Sequence, residues 1–186
     1  VLTQILLKKN GIMVPDFFIL EKRDRSQASK FLESLGGCPV VVKPSSEGSS
    51  IGITIVNRYE DFIPAVEKAF EFGSQVLVDR YIAGKEITCG VLGGQALPLV
   101  EICPKNKFFD FTAKYQKGMS DYIVPAQIDP DQVRDIQEMS QKVFNLVGCR
   151  DMARSDFILD EKGKAYFLEV NTIPGFTATS LLPMAA

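Results

Sequence analysis

The sequence predicts an α+β fold with mostly antiparallel sheets, divided into two strand groups near Ala83-Gly84. Two observations predict it. Strand-like runs return on themselves across short polar turns: residues 39–43 and 52–56 around a serine-rich loop, 86–92 and 95–100 about Gly93-Gly94, and 154–159 and 165–170 about Asp160-Glu161-Lys162-Gly163. Turns of that length join antiparallel neighbours, because a parallel pair needs a crossover of about a dozen residues or more. Helical runs over about 26–35, 60–72 and from Asp129-Pro130 to Gly148 lie between strand runs.

Each element has a local reason. The first helix ends near Asn10-Gly11, a C-cap pair. Residues 17–20 are a short apolar strand, and a helix over about 26–35 is stopped by Gly36-Gly37. Residues 39–43 are valine-rich and extended, the loop 45–50 follows, and 52–56 return. A helix over 60–72 carries acids at its start and Pro64 in its first turn. Residues 75–80 form a strand, and 108–123 read mostly as loop. Asp129-Pro130 opens a helix whose apolar positions Val133, Ile136, Met139, Val143 and Val147 keep one face, and Gly148 closes it.

Composition narrows the function classes. The chain has 186 residues, 46% of them hydrophobic, and a net charge of −2, so nothing in its charge favours nucleic acid or acidic lipid. No apolar run approaches 18 residues, and no membrane span is expected. There is no histidine, which excludes Ser-His and Cys-His nucleophiles and histidine metal sites from this segment. Cys38, Cys89, Cys103 and Cys149 lie singly, in no zinc spacing. Reduced thiols and a cytoplasmic location are expected. The chain opens on helix-like residues and closes on a helix just begun, so it is expected to be a piece of a longer protein.

The densest chemistry lies in the last hairpin. Arg154 and Asp156 on one strand, and Glu169 and Asn171 on the next, fall on one face if the register pairs them. Two carboxylates and an amide make an oxygen cage for a hard cation such as magnesium, which keeps waters and takes phosphates. The same register assigns Phe157, Leu159, Tyr166, Leu168 and Val170 to a core face. The alternative is a solvated polar face with an Arg154–Glu169 ion pair. The turn Asn171-Thr172-Ile173-Pro174-Gly175 then orients the chain beside the cage.

Two further segments invite a nucleotide. Lys43 ends a valine strand just before the glycine- and serine-rich loop, where backbone N–H groups can approach phosphate oxygens. The loop lacks a Walker ending, and a plain hairpin turn is the alternative. Residues 76–86 join two strands through Asp79, Tyr81 and Ile82 to Glu86, a hinge that can offer amides to an adenine and a carboxylate to a ribose; an ordinary linker is the alternative.

In order and spacing, Lys43-Pro44 with Glu47-Gly48-Ser49-Ser50-Ile51-Gly52, Asp79-Arg80-Tyr81-Ile82 with Gly84-Lys85-Glu86, Ala113-Lys114-Tyr115, Arg154 with Asp156, Glu169 with Asn171-Thr172 and Pro174-Gly175-Phe176-Thr177, and Ser180-Leu181 with Pro183-Met184 resemble the D-alanine–D-alanine ligases. That family has the ATP-grasp fold, two α+β subdomains gripping ATP between them. The resemblance implies a central subdomain over 1–83 and a C-terminal one over 84–186, with an N-terminal domain and a last helix lying outside this chain. It implies ATP and two magnesium ions, with manganese as a substitute, held by Asp156, Glu169 and Asn171. Lys43, Lys114 and Ser50 would meet phosphates, and Asp79, Tyr81, Ile82, Glu86 and Leu168 would meet adenosine. Arg154 and the Gly175 amide would stabilise an oxyanion, and Ser180 and Leu181 would hold the carboxylate of the second D-alanine. Ser49 and Tyr115 would orient the substrate. Asp79 stands where the family usually has glutamate, and Tyr81 where tryptophan is common. A homodimer formed through parts outside the chain, without nucleic acid or membrane, completes what the resemblance implies. D-alanine–D-lactate ligation, another carboxylate–amine ligase of the same fold, and a nucleotide-binding fragment inactive alone are the alternatives; Tyr115 and Ser180-Leu181 favour the dipeptide ligase.

Overall fold

The computed structural model describes residues 1–46, 51–104 and 120–186. Ser49, Ser50, Lys114 and Tyr115 lie outside the described residues. The chain forms two compact units that part between Tyr81 and Ile82; the first is built on residues 15–81, and the second gathers 2–14, 82–103 and 120–186.

In the first unit, β1 (Phe17–Glu21), β2 (Val40–Pro44), β3 (Thr54–Val56) and β4 (Gln75–Arg80) form an antiparallel sheet in the order β1-β4-β2-β3. Alternation along the strands explains its two faces. Val40 and Val42 on β2 and Val76 and Val78 on β4 are fully buried against α2 (Ala28–Ser34) and α3 (Phe62–Phe70), with Leu32, Phe62 and Val66 in the same core. The opposite face carries Val41 and Lys43 beside Leu77 and Asp79. Both helices start later than the sequence pattern predicts, because a 3₁₀ turn precedes each, at Lys22–Gln27 and Tyr59–Asp61. Helix termini often tighten in this way.

The second unit is a sheet in the order β10-β9-β5-β7-β8, with β6 paired to β5: β5 (Gly84–Leu92), β6 (Gln95–Ala96), β7 (Val100–Pro104), β8 (Ser120–Ile123), β9 (Met152–Asp160) and β10 (Ala165–Asn171). The return strand expected over 95–100 is two strands, with Pro98 between them supplying no N–H for a ladder. Residues 120–123, expected as loop, are the edge strand β8. One sheet face, with Ile87, Cys89, Val91, Ala153, Phe157, Leu159 and Phe167 all buried, meets α4 (Pro130–Val147) through Ile136, Val143 and Phe144. Asp129 caps α4 with a capping box, and Gly148 ends it at φ +75°. Helix α1 (Leu2–Lys9) lies on α4, where Lys142 Nζ donates to the Asn10 carbonyl at 2.6 Å. Among the described residues no helix is long and apolar enough to cross a membrane.

The hairpin β9–β10 corrects the core face expected from sequence. Ala165 pairs with Leu159 and Phe167 with Phe157, whereas Tyr166 pairs with Ile158 on the other face. Phe157 and Phe167 meet edge to face at 5.8 Å. Leu168 is then an extra residue, since the next pair is Asp156 with Glu169. This β-bulge changes the parity of the strand. Only Val170 of the three β10 residues assigned to the core reaches it, packing with Val91, Phe144 and Ala153.

Candidate active site

The other face of the second sheet holds the polar residues. The register lines up three strands: Thr88 on β5, Asp156 on β9 and Glu169 on β10 in one row, and Gly90, Arg154 and Asn171 in the next. Glu86, buried on β5, lies one row further, opposite Ile158. Asp156 pairs with Glu169 and Arg154 with Asn171, so the four residues share one face.

Asp156 is 7% exposed and is held from three sides. Arg154 grips it as a fork, Nε to Oδ1 at 2.9 Å and Nη2 to Oδ2 at 2.9 Å. The Thr88 hydroxyl donates to Oδ1 at 2.6 Å. The Asn171 amide lies 3.4 Å from Asp156 Oδ2 and 3.4 Å from Glu169 Oε1, so an oxygen from each carboxylate converges on one place. Oδ1 already accepts two close donors, whereas Oδ2 accepts one close donor and one long one. The capacity that remains on Asp156 is therefore at Oδ2, where Glu169 and Asn171 meet it.

This donor set suits a hard divalent cation: two carboxylates and an amide, oxygen donors throughout once the amide turns its oxygen inward. Among the described residues no three Asp, Glu, Cys or His side chains are placed to hold a metal ion together. A cation at this cluster would thus complete its shell with water and phosphate oxygens, as magnesium does.

The remaining candidates fall into smaller groups. Lys43 and Asp79 are diagonal neighbours across β2 and β4 and form an ion pair; the side chains are 20% and 4% exposed. Asp79 is thus the anionic partner of Lys43 within the sheet. Tyr81 is half-buried and donates its N–H to the Pro39 carbonyl at 3.1 Å, and Ile82 opens the second unit. Leu168 is the bulge residue, half-buried. Gly175 lies against Ser180: a Cβ on Gly175 would come within 2.8 Å of Ser180 Oγ. That hydroxyl accepts from the Thr177 N–H at 3.0 Å and closes the loop just before α5 (Leu181–Ala185). Ile173 and Phe176 in this loop are 92% and 65% exposed.

Sequence reasoning missed Thr88 and Gly90. The signal was present, since both follow Glu86 at the period-two spacing of its strand face. Gly90 is required by a close approach: a Cβ there would meet Leu182 Cδ1 of α5 at 2.4 Å. The absence of a side chain lets α5, which begins at Leu181, rest on the sheet beside Arg154.

The fold and the cluster together define a class, and comparison with known proteins gives the same one. A VanG D-Ala:D-Ser ligase from Enterococcus faecalis matches with a TM-score of 0.86 and 34% identity, over 98% of this chain and 54% of that one. A D-alanine–D-alanine ligase from Bacillus anthracis, solved complexed with ATP, matches with a TM-score of 0.79 and 29% identity, over 98% of this chain and 57% of that one. The architecture is the α+β ATP-grasp fold. Residues 6–186 match the family model described as D-ala D-ala ligase C-terminus, and the chain belongs to that family. A curated relative, a D-alanine–D-alanine ligase of Trichlorobacter lovleyi, is 42% identical over 176 residues, 95% of this chain and 55% of its own length. The chain spans 55–60% of the length of several such relatives.

Proposed function

We propose that this chain is the nucleotide- and metal-binding part of an ADP-forming ligase that joins two D-alanine molecules for peptidoglycan precursor synthesis. The observation that carries the reading is the convergence of Asp156 Oδ2 and Glu169 Oε1 on Asn171, with Arg154 beside them, in a chain of this family. In this reading the carboxylate of one D-alanine takes the γ-phosphoryl group of ATP. The amine of the second D-alanine then attacks the acyl carbon, and phosphate leaves.

Bound magnesium would neutralise the phosphate charge that develops in phosphoryl transfer. The chain's own residues position and stabilise. Asp156, Glu169 and Asn171 hold two magnesium ions, or manganese in their place, and Lys43, Lys114 and the Ser49-Ser50 loop hold phosphate oxygens. Asp79, Tyr81, Ile82, Glu86 and Leu168 surround adenosine. Arg154 and the Gly175 N–H face the oxyanion of the tetrahedral intermediate, where one lost donor typically costs about 10²–10³ in rate. Ser180 and Leu181 take the carboxylate of the second D-alanine, and Ser49 and Tyr115 orient the substrate. No step needs a histidine. The reading takes residues 1–83 as the central and 84–186 as the C-terminal ATP-grasp subdomain, and the whole enzyme as a cytoplasmic homodimer formed through parts outside this chain.

A second acceptor is favoured by one observation, the high structural likeness to a D-Ala:D-Ser ligase. The test is phosphate release from Mg-ATP with D-alanine alone, L-alanine alone, D-alanine plus D-serine, and D-alanine plus D-lactate, on this chain and on the longer protein. Release driven by D-alanine alone is expected. Release that requires D-serine or D-lactate moves the assignment to those acceptors, and none with any amino acid on the longer protein overturns it.

A further inference from the structure

We infer that Thr88 is a positioning residue for the cation cluster, its hydroxyl fixing which oxygen of Asp156 faces the cation. The inference rests on the metal reading of that cluster. Thr88 is 1% exposed and stands directly opposite Asp156 in the β5·β9 ladder. Its hydroxyl has one proton to give. The Asp156 Oδ1 oxygen at 2.6 Å is the strong acceptor, and the Ser155 carbonyl at 3.3 Å is secondary.

The role follows from what Arg154 cannot do alone. Arg154 and Asp156 are two residues apart on the same strand, so their fork ties one side chain to another without tying either to a neighbouring strand. Thr88 belongs to β5, and its bond fastens Oδ1 to a second strand. With Oδ1 taken by Thr88 and Arg154, the carboxylate presents Oδ2 toward Asn171 and Glu169. Groups that orient metal-binding carboxylates in this way typically change metal affinity by about 10–100-fold when removed.

The test is Mn²⁺ binding in solution, followed by the loss of the free-ion paramagnetic resonance signal, on the unmodified chain, Thr88→Val, Thr88→Ser and Asp156→Ala. Binding lost in Asp156→Ala defines the site. Valine keeps the shape of threonine and removes the hydroxyl; serine restores it. We expect Thr88→Val, folded by circular dichroism, to bind Mn²⁺ about 10-fold more weakly or worse, and Thr88→Ser to bind like the unmodified chain. A threonine that served packing alone would lower the melting temperature and leave the affinity of the folded protein unchanged. Equal binding by folded Thr88→Val overturns the inference. Should the valine variant not fold, weakened binding by folded Thr88→Ser overturns it instead, and serine-variant binding equal to the unmodified chain supports it. No site-specific Mn²⁺ binding by the unmodified chain overturns the metal reading, and this inference with it.

Discussion

Asp156 and Glu169 are register partners across β9 and β10, and Leu168 is the extra residue that makes them so. Phe167 and Glu169 are two apart, so a regular strand would place both on one face. One must reach the core and the other the polar cluster. A ladder continued without a shift from the Phe157–Phe167 pair would set Glu169 opposite Ser155 on the apolar face, and burying an unpaired carboxylate there is expensive. The bulge resolves the conflict with a single residue.

The two carboxylates differ in burial, and their removal is predicted to differ accordingly. Asp156→Ala leaves the Arg154 guanidinium, 12% exposed, without its fork, and breaking such a pair costs about 3 kcal/mol. Glu169 is exposed, and its loss is expected to change stability by about 0.5 kcal/mol or less. Both substitutions should lower ATP turnover by at least about 10²-fold, the scale of a lost charge stabiliser. Urea unfolding and phosphate release on the same preparations separate the two effects. Unaltered turnover in Glu169→Ala would remove that residue from the metal set.

The sequence made the polar half of this site legible and obscured the apolar half, for one reason. Arg154, Asp156, Glu169 and Asn171 announce themselves by residue type, and their mutual pairing survives in the structure. The core side of β10 was assigned by carrying one parity along the strand, and Leu168 breaks parity with no glycine or proline to mark it. The signal available was the clash of Phe167 with Glu169. Helix ends were legible where glycine takes positive φ, at Gly11, Gly36 and Gly148. The split of the 95–100 strand was legible in Pro98. Thr88 was signalled only by its period-two spacing after Glu86, and a buried threonine reads as an ordinary strand residue until its neighbour on β9 is known.

Gly90 is predicted to set the seat of α5. A methyl group at this position would overlap Leu182 Cδ1 at 2.4 Å and crowd Leu97 Cδ1 at 3.0 Å. Leu182 is buried, so it cannot swing into solvent without cost. Gly90→Ala should therefore destabilise the protein by about 1–3 kcal/mol and move Ser180-Leu181, and on the proposed ligase reading it would weaken the use of D-alanine as second substrate more than ATP binding. The clash has a named partner, so the effect is not additive. Leu182→Ala alone should destabilise, and in the Gly90→Ala background its cost should shrink or reverse. Additive costs in a double-mutant cycle would show that the two side chains do not compete for one space.

Cys89 gives a prediction at alkaline pH. It is fully buried on β5, on the face turned to α4, with Sγ 3.5 Å from the Gly90 carbonyl oxygen and 3.8 Å from that of Leu97. Burial pushes its thiol up to about 11, against smaller opposing contributions from hydrogen bonds with Ser140 and Leu97. The folded protein therefore holds this proton more tightly than the unfolded chain does. The stability that this contributes is complete below about pH 9 and is lost as pH rises toward 11, an amount of roughly 3 kcal/mol from a shift of about two units. In Cys89→Ala that loss is absent. Lysines and tyrosines also titrate over this range, but equally in both proteins, so the informative quantity is the difference in unfolding free energy between them. We expect the unmodified chain to be the more stable at pH 8, with the gap closing as pH climbs from 9 to 11. A gap constant across that range would mean that the Cys89 thiol ionises as readily in the folded protein as in the unfolded one.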